Sequence, residues 1–147
     1  MKINRFSILG EEESYSIDWI TSHSKPFPNA QVANFINSPI YSLTELEQQC
    51  CKGLELTQKK NDLYQFSQSR EICTMSDEEL VDMPRLRQFR EELMKLMPFI
   101  STISGNEITS VSMFFGEYKY TDHLLTHEDD LENRVVAFVY YLNRCVS

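Results

Sequence analysis

The spacing of apolar residues changes at Gly105, and this change limits the folds open to the chain. Before it, apolar residues recur at helical spacing after Pro84: Leu86, Phe89, Leu93, Leu96, Met97 and Ile100. After it, three segments are rich in Val, Ile, Tyr, Phe and Thr, which favour strands: 108–115, 118–125 and 134–142. Helices followed by strands in 147 residues predict a single α+β unit.

The N-terminal region has a different texture. Residues 1–29 combine an acidic run with two prolines and little periodicity, which predicts a loosely ordered lead-in with one helical turn near 18–22. Residues 31–36 predict a short strand. Ser38 and Pro39 are suited to the N-cap and first position of a helix, and we expect that helix to stop at a glycine, Gly53.

Between the two predicted helices the pattern is weaker. Residues 54–57 and 63–66 alternate only in part, which predicts an irregular strand or an extended loop. The segment 76–79 reads S-x-x-E and matches a capping box, placed ahead of the helix that follows Pro84. Pro98 is expected to kink that helix or to begin a second one.

The charge balance excludes some functions. The chain has 14 Lys+Arg against 22 Asp+Glu, a formal net charge of −8. Because binding to nucleic acid or anionic membrane depends on clustered Lys and Arg, this balance argues against both. Apolar stretches such as 135–142 are far shorter than the ~20 residues of a spanning helix. We therefore expect no direct nucleic-acid partner and no membrane anchor.

The cysteines indicate the redox compartment. They are Cys50, Cys51, Cys73 and Cys145, without a C-x-x-C pair, and adjacent cysteines rarely form an unstrained disulfide. The N-terminus reaches an acidic run without the apolar core of a signal peptide. A reducing compartment, cytosol or nucleus, is the prediction.

One cluster has the residue types of a chemical site, namely the acidic segment 126–132 between two predicted strands. Its centre is His127-x-Asp129. Residues i and i+2 of a strand share a face, so both side chains can reach one metal ion, as two of the three ligands in a 2-His-1-carboxylate iron site. Judged on spacing alone, a solvated acidic turn remains the favoured alternative.

The neighbouring candidates are weaker. His123 lies four residues before His127, a spacing that suits shared metal binding on a helix but not on a strand. Arg134 and Arg144 carry the charge to pair an anionic cosubstrate, although a solvated or salt-bridged arginine is the simpler account of each. Tyr140 and Tyr141 must face opposite ways, and an unbroken pleat from Asp129 would favour Tyr141 on the site's face.

Two segments together resemble a known enzyme family. Residues 118–142 are similar to the T-D-x-L-L-x-H-x-D motif, followed by an R-x-x-A-F-x-x-Y-L strand, of the 2-oxoglutarate and Fe(II)-dependent prolyl 3-hydroxylases that modify a small-subunit ribosomal protein. Residues 61–69 resemble that family's N-D-L-Y-x-F segment. The similarity extends more diffusely back to about Lys25.

The resemblance implies a fold and an activity. The fold would be the N-terminal part of a double-stranded β-helix (jelly-roll) oxygenase core with helices packed outside, formed by residues 30–147 as a partial oxygenase domain. The activity would be prolyl hydroxylation of a small-subunit ribosomal protein, linked to translation, in the cytoplasm and nucleus. The cofactors would be Fe(II), 2-oxoglutarate as cosubstrate, and ascorbate to keep the iron reduced.

The resemblance also assigns residues. It implies His127 and Asp129 as the iron ligands. It implies Tyr141 as a contact to 2-oxoglutarate, with Tyr118 and Leu124 as further candidates for the pocket wall.

The family's second histidine ligand and its 2-oxoglutarate-binding arginine lie well downstream of this motif. Only 18 residues follow Asp129, and none is a histidine. We therefore expect the second half of the oxygenase core to be missing from this chain. The alternative function is a catalytically inactive interaction module.

Overall fold

The computed structural model describes residues 20–23, 29–32, 43–127 and 134–142. The chain divides into two compact units, Met1–Tyr41 and Ser42–Ser147. In the first unit, strands β1 (Ile20–His23) and β2 (Asn29–Val32) form an antiparallel pair. The helical turn predicted near 18–22 is therefore wrong: pairing with β2 keeps this β-branched stretch extended.

The second unit contains the longer elements. In chain order they are α1 (Leu43–Gly53), β3 (Leu56–Lys60), β4 (Tyr64–Ser69), α2 (Pro84–Lys95), α3 (Met97–Ser104), β5 (Gly116–Glu117) and β6 (His123–Leu124). The helical prediction after Pro84 is confirmed, with a break at Leu96 before Pro98. Gly105 ends α3 at φ 71°, a left-handed conformation that glycine adopts without strain.

The end of α1 at Gly53 is confirmed, for a reason other than a left-handed turn. A Cβ atom at Gly53 would lie 2.5 Å from the Met83 sulfur and 2.8 Å from its Cγ. Met83 is buried. Glycine is needed here because the end of α1 approaches this side chain closely.

The region predicted as an irregular strand is a regular hairpin. Strands β3 and β4 pair antiparallel from Leu56↔Ser69 to Lys60↔Gln65. The Asn61 side-chain oxygen accepts the N–H groups of Leu63 at 2.8 Å and Tyr64 at 3.0 Å, which closes the turn. The polar residues that obscured the strand pattern lie on β3. Four of its five residues are exposed, so both of its faces carry polar side chains and the sequence does not alternate between apolar and polar residues.

The predicted C-terminal strands are largely wrong. Within the described residues, 108–115 and 134–142 form no strand, and 118–125 contributes only β6. The segment before β5 does run beside β4, since Ser69 N donates to Phe115 O at 2.9 Å and Ile72 N donates to Met113 O at 2.8 Å. Strand propensity becomes strand structure only where a partner strand is available along the whole segment.

The core of this unit lies where α1 and α2 meet the 70–83 segment. Its buried apolar residues are Leu46, Cys50, Leu54, Ile72, Met75, Leu80, Met83, Leu86, Phe89, Leu93, Leu96 and Met113. The helical spacing thus located the buried face of α2 correctly. Burial raises the pKa of the Cys50 thiol to about 12, so this cysteine is an inert part of the core.

The start of α2 is capped from another helix. The predicted capping box is present, with Ser76 N donating to Glu79 Oε2 at 2.8 Å, but it closes the turn before Pro84. The first N–H groups of α2, those of Arg85 and Leu86, donate to Gln49 Oε1 of α1 at 2.8 and 3.2 Å. One amide oxygen therefore satisfies two helix-end donors and joins the helices.

Replacing Gln49 by leucine is expected to lower the free energy of unfolding by about 1–2 kcal/mol, because two N–H groups lose their acceptor. Gln49→Glu keeps the acceptor and adds negative charge at a helix N-terminus, so it should preserve stability. Urea unfolding followed by circular dichroism measures both. Equal loss in the two variants would contradict the capping role.

Candidate functional site

The two segments that carry the family resemblance are adjacent in the sheet. Strand β6 pairs with β4 in the register Tyr64↔Leu124 and Gln65↔His123. The pairing continues past β6, where Leu125 N donates to Leu63 O at 2.9 Å. The segment leading to His127 is therefore anchored on the turn of the β3–β4 hairpin.

An insertion separates β5 from β6 along the same edge of β4. Glu117 pairs with Ser67, and His123 pairs with Gln65, so five residues, 118–122, stand opposite Phe66 alone. The excursion is closed by a turn in which Asp122 N donates to Lys119 O at 2.9 Å. This extra length is why the predicted strand 118–125 is interrupted.

Aromatic side chains cover one face of β4. Tyr64 and Phe66 share this face because they are two residues apart, and Leu124 joins it opposite Tyr64. The Tyr118 ring stacks on Phe66 with centroids 5.0 Å apart and planes at 18°. We call Tyr64, Phe66, Tyr118 and Leu124 the aromatic face.

The charge of Tyr141 acts on the Tyr118 phenol of this face. Burial raises the pKa of the Tyr118 phenol, and the charges of Asp122 and Tyr141 raise it further. Tyr141 is 79% exposed, whereas Tyr140 is half-buried with its ring 5.0 Å from that of Phe89. The structure thus places Tyr118 and Leu124 on the aromatic face, and it leaves Tyr141 as the exposed member of the Tyr140–Tyr141 pair.

His127 is exposed and follows β6. Its Nδ1 lies 2.9 Å from the carbonyl oxygen of Leu125. A carbonyl only accepts, so Nδ1 carries a proton in this contact, and in a neutral imidazole the lone pair is then on Nε2. This is the tautomer that metal-binding histidines commonly adopt when a carbonyl holds their other nitrogen.

The second predicted ligand, Asp129, lies outside the described residues, as does Arg144. Over the parts of the chain that are described, no group of three or more His, Cys, Asp or Glu residues is arranged to hold a metal ion. His123, the weaker alternative ligand, is on β6 with its Nδ1 3.4 Å from the Thr121 carbonyl oxygen. Of the two predicted iron ligands, only His127 lies within the described residues.

Comparison with known proteins identifies relatives. The chain is 33% identical over 122 residues to prolyl 3-hydroxylase OGFOD1 of Xenopus laevis and 30% identical over 130 residues to its namesake in Mus musculus. It is also 33% identical over 91 residues to prolyl 3-hydroxylase sudestada1 of Drosophila melanogaster. The chain is related to the prolyl 3-hydroxylases.

The matches cover most of this chain but only a small part of each relative. They cover 81%, 87% and 61% of this chain but only 22%, 22% and 16% of the respective relatives. The chain therefore spans about a fifth of the length of the prolyl 3-hydroxylases it matches. No protein-family model matches it. None of the described helices is long and apolar enough to cross a membrane.

Sequence reasoning gave no role to several residues of this prolyl 3-hydroxylase-like segment. Tyr64 and Phe66 belong to the family-like segment 61–69 without an assigned role, although their spacing of two already indicates a shared strand face. Gln65 and Asp122 meet across the sheet, with Gln65 Nε2 donating to Asp122 Oδ1 at 2.9 Å. No signal in the sequence pairs these two residues, because their contact depends on the β4–β6 register.

Proposed function

We propose that this chain contributes part of the active site of an Fe(II)- and 2-oxoglutarate-dependent hydroxylase that modifies a prolyl residue of a small-subunit ribosomal protein. The observation that carries the proposal is the joining of the two family-like segments by β4–β6 pairing, which leads directly into His127. Relatives named prolyl 3-hydroxylase support the reaction type. In this proposal the sheet belongs to a double-stranded β-helix.

Each predicted site residue would bind either the iron or the cosubstrate. His127 Nε2 and the Asp129 carboxylate would hold Fe(II), while Leu125 O keeps the imidazole in the tautomer that presents Nε2. Iron with 2-oxoglutarate and O₂ supplies the oxidising chemistry, giving succinate, CO₂ and a hydroxylated prolyl ring, and ascorbate keeps the iron reduced. Tyr141 and Tyr118 would contact the cosubstrate through their phenols.

The apolar part of the site would restrict water. Leu124 and the stacked rings of Phe66 and Tyr118 would form one wall of the site, and its low polarity would strengthen hydrogen bonds and charge interactions beside it once substrate covers it. The chain's net charge of −8 suits a basic substrate such as a ribosomal protein, because opposite charge speeds encounter.

The test is an anaerobic titration of the chain with Fe(II) and 2-oxoglutarate, followed by the visible absorption of their joint complex. His127→Ala and Asp129→Ala are each expected to weaken iron binding at least about tenfold, since each removes a proposed iron ligand. His123→Ala is the matched control and should bind like the unsubstituted chain. Absence of binding by the folded chain, or equal binding by all variants, would reject the proposal in favour of an interaction module.

A further inference from the structure

Asp122 uses both of its carboxylate oxygens to hold the insertion between β5 and β6. Oδ2 accepts the Lys119 N–H at 2.8 Å, which closes the turn. Oδ1 accepts the Gln65 side-chain N–H at 2.9 Å, which ties the turn to β4. These two hydrogen bonds hold the pKa of the Asp122 carboxyl below its usual value, with the Lys119 N–H as the larger cause.

The turn that Asp122 closes is strained. Thr121 has φ 75°, in the left-handed region that a β-branched residue rarely occupies. Such a conformation is energetically unfavourable and persists only where the surroundings enforce it. The flanking hydrogen bonds of Asp122 are the contacts that enforce it here.

A short series of contacts leads from Asp122 to His127. Asp122 is followed directly by β6, which has only two residues paired with β4. Leu125 N then donates to Leu63 O, and Leu125 O holds His127 Nδ1. With so short a strand, the start of β6 has to be held by something other than the ladder itself.

We propose that Asp122 is a positioning residue for His127: by bonding Gln65 and the Lys119 N–H, it sets the register of β6 and thereby the orientation of the His127 imidazole. The inference rests on the proposed function only in taking His127 as an iron ligand. The effect of Asp122 on the orientation of the His127 imidazole does not require a metal.

The variants exploit the chemistry of the Asp122–Gln65 contact. Asp122→Ala removes both hydrogen bonds. Gln65→Glu places two carboxylates against each other and breaks one. Asp122→Asn keeps both, because its oxygen accepts the Lys119 N–H while its amide donates to a rotated Gln65 side chain. The double variant Gln65→Glu/Asp122→Asn restores an amide-to-carboxylate bond and should rescue the single Gln65→Glu change.

The matched control is Gln58→Glu, the same chemical change on exposed β3. Gln58 pairs with Ser67 and so lies on the same sheet face as Gln65. It alters the net charge by the same amount without touching Asp122.

The first measurement is the tautomer of His127 in metal-free protein, from the imidazole ¹⁵N resonances at about pH 8.5, two units above the usual histidine pKa. Gln65→Glu and Asp122→Ala should shift His127 from the Nδ1–H tautomer towards the Nε2–H form. Asp122→Asn, the double variant and Gln58→Glu should retain the original tautomer. Thermal unfolding identifies any variant that has lost its fold, and Gln65→Glu with its rescue remains informative if Asp122→Ala does not fold.

The second measurement is Mn(II) affinity of the same proteins. Variants that lose the Nδ1–H tautomer should bind Mn(II) about tenfold more weakly, and the rescued double variant should recover. An unchanged His127 tautomer in folded Gln65→Glu and Asp122→Ala would overturn the positioning role. If the tautomer changes as expected but the unsubstituted chain binds no metal, positioning holds and the proposed function fails.

Discussion

Replacing Leu80 by alanine is expected to lower the free energy of unfolding by about 3 kcal/mol, within a range of roughly 2–5 kcal/mol. Leu80 is 0% exposed, at the end of the capping-box turn where its N–H donates to Ser76 O at 3.2 Å. Its removal leaves a cavity beneath the turn that leads into α2, and the surrounding core can collapse only in part.

The neighbouring residue provides the control. Val81 is 65% exposed, so Val81→Ala should change stability by less than about 0.5 kcal/mol. Urea unfolding of both variants, monitored by far-UV circular dichroism, measures the difference. Similar effects for Leu80→Ala and Val81→Ala would show that this part of the core is not packed as described.

Replacing Arg90 by methionine is expected to cost about 2–4 kcal/mol, because a buried cation holds two parts of the 75–77 loop. Its guanidinium donates to the Met75 carbonyl and to Asp77 Oδ1, each at 2.5 Å. Methionine keeps the apolar stem but leaves the carbonyl without its donor. Arg90→Lys should also destabilise, since an ammonium lacks the planar fork that reaches both acceptors.

Arg87 on the same helix is the matched control. Its pair with Glu91 is at 3.9 Å, and its side chain is 43% exposed. Arg87→Met should therefore cost only about 0.3 kcal/mol. Thermal and urea unfolding measure the loss of stability in Arg90→Met and in Arg87→Met. A loss at Arg90 no greater than that at Arg87 would mean that the loop is held by its apolar contacts alone.

The helical half of the chain was predictable because its signals are local. The spacing of Leu86, Phe89 and Leu93 identifies the buried face of α2, and Gly105 marks the end of α3. The residues that cap α2 were not predictable. Gln49 lies on α1, and no local sequence pattern predicts that its side chain accepts a hydrogen bond from Arg85, 36 residues further along the chain.

The candidate site shows the same division. His127-x-Asp129 and the resemblance of 61–69 and 118–142 are visible in the sequence, and the relatives named prolyl 3-hydroxylase agree with the family resemblance. The tautomer of His127 and the contact between Gln65 and Asp122 are not, because both depend on which residues face each other across β4 and β6. A one-residue change in register would exchange the faces.

By itself the sequence determined the helix after Pro84, the ends of α1 and α3 at Gly53 and Gly105, and the family that the chain resembles, since each of these depends on neighbouring residues. The strands were decided only by the tertiary structure. A β-rich segment such as 134–142 becomes a strand only where a partner offers hydrogen bonds along its length, and among the described residues only β4 is paired along both of its edges.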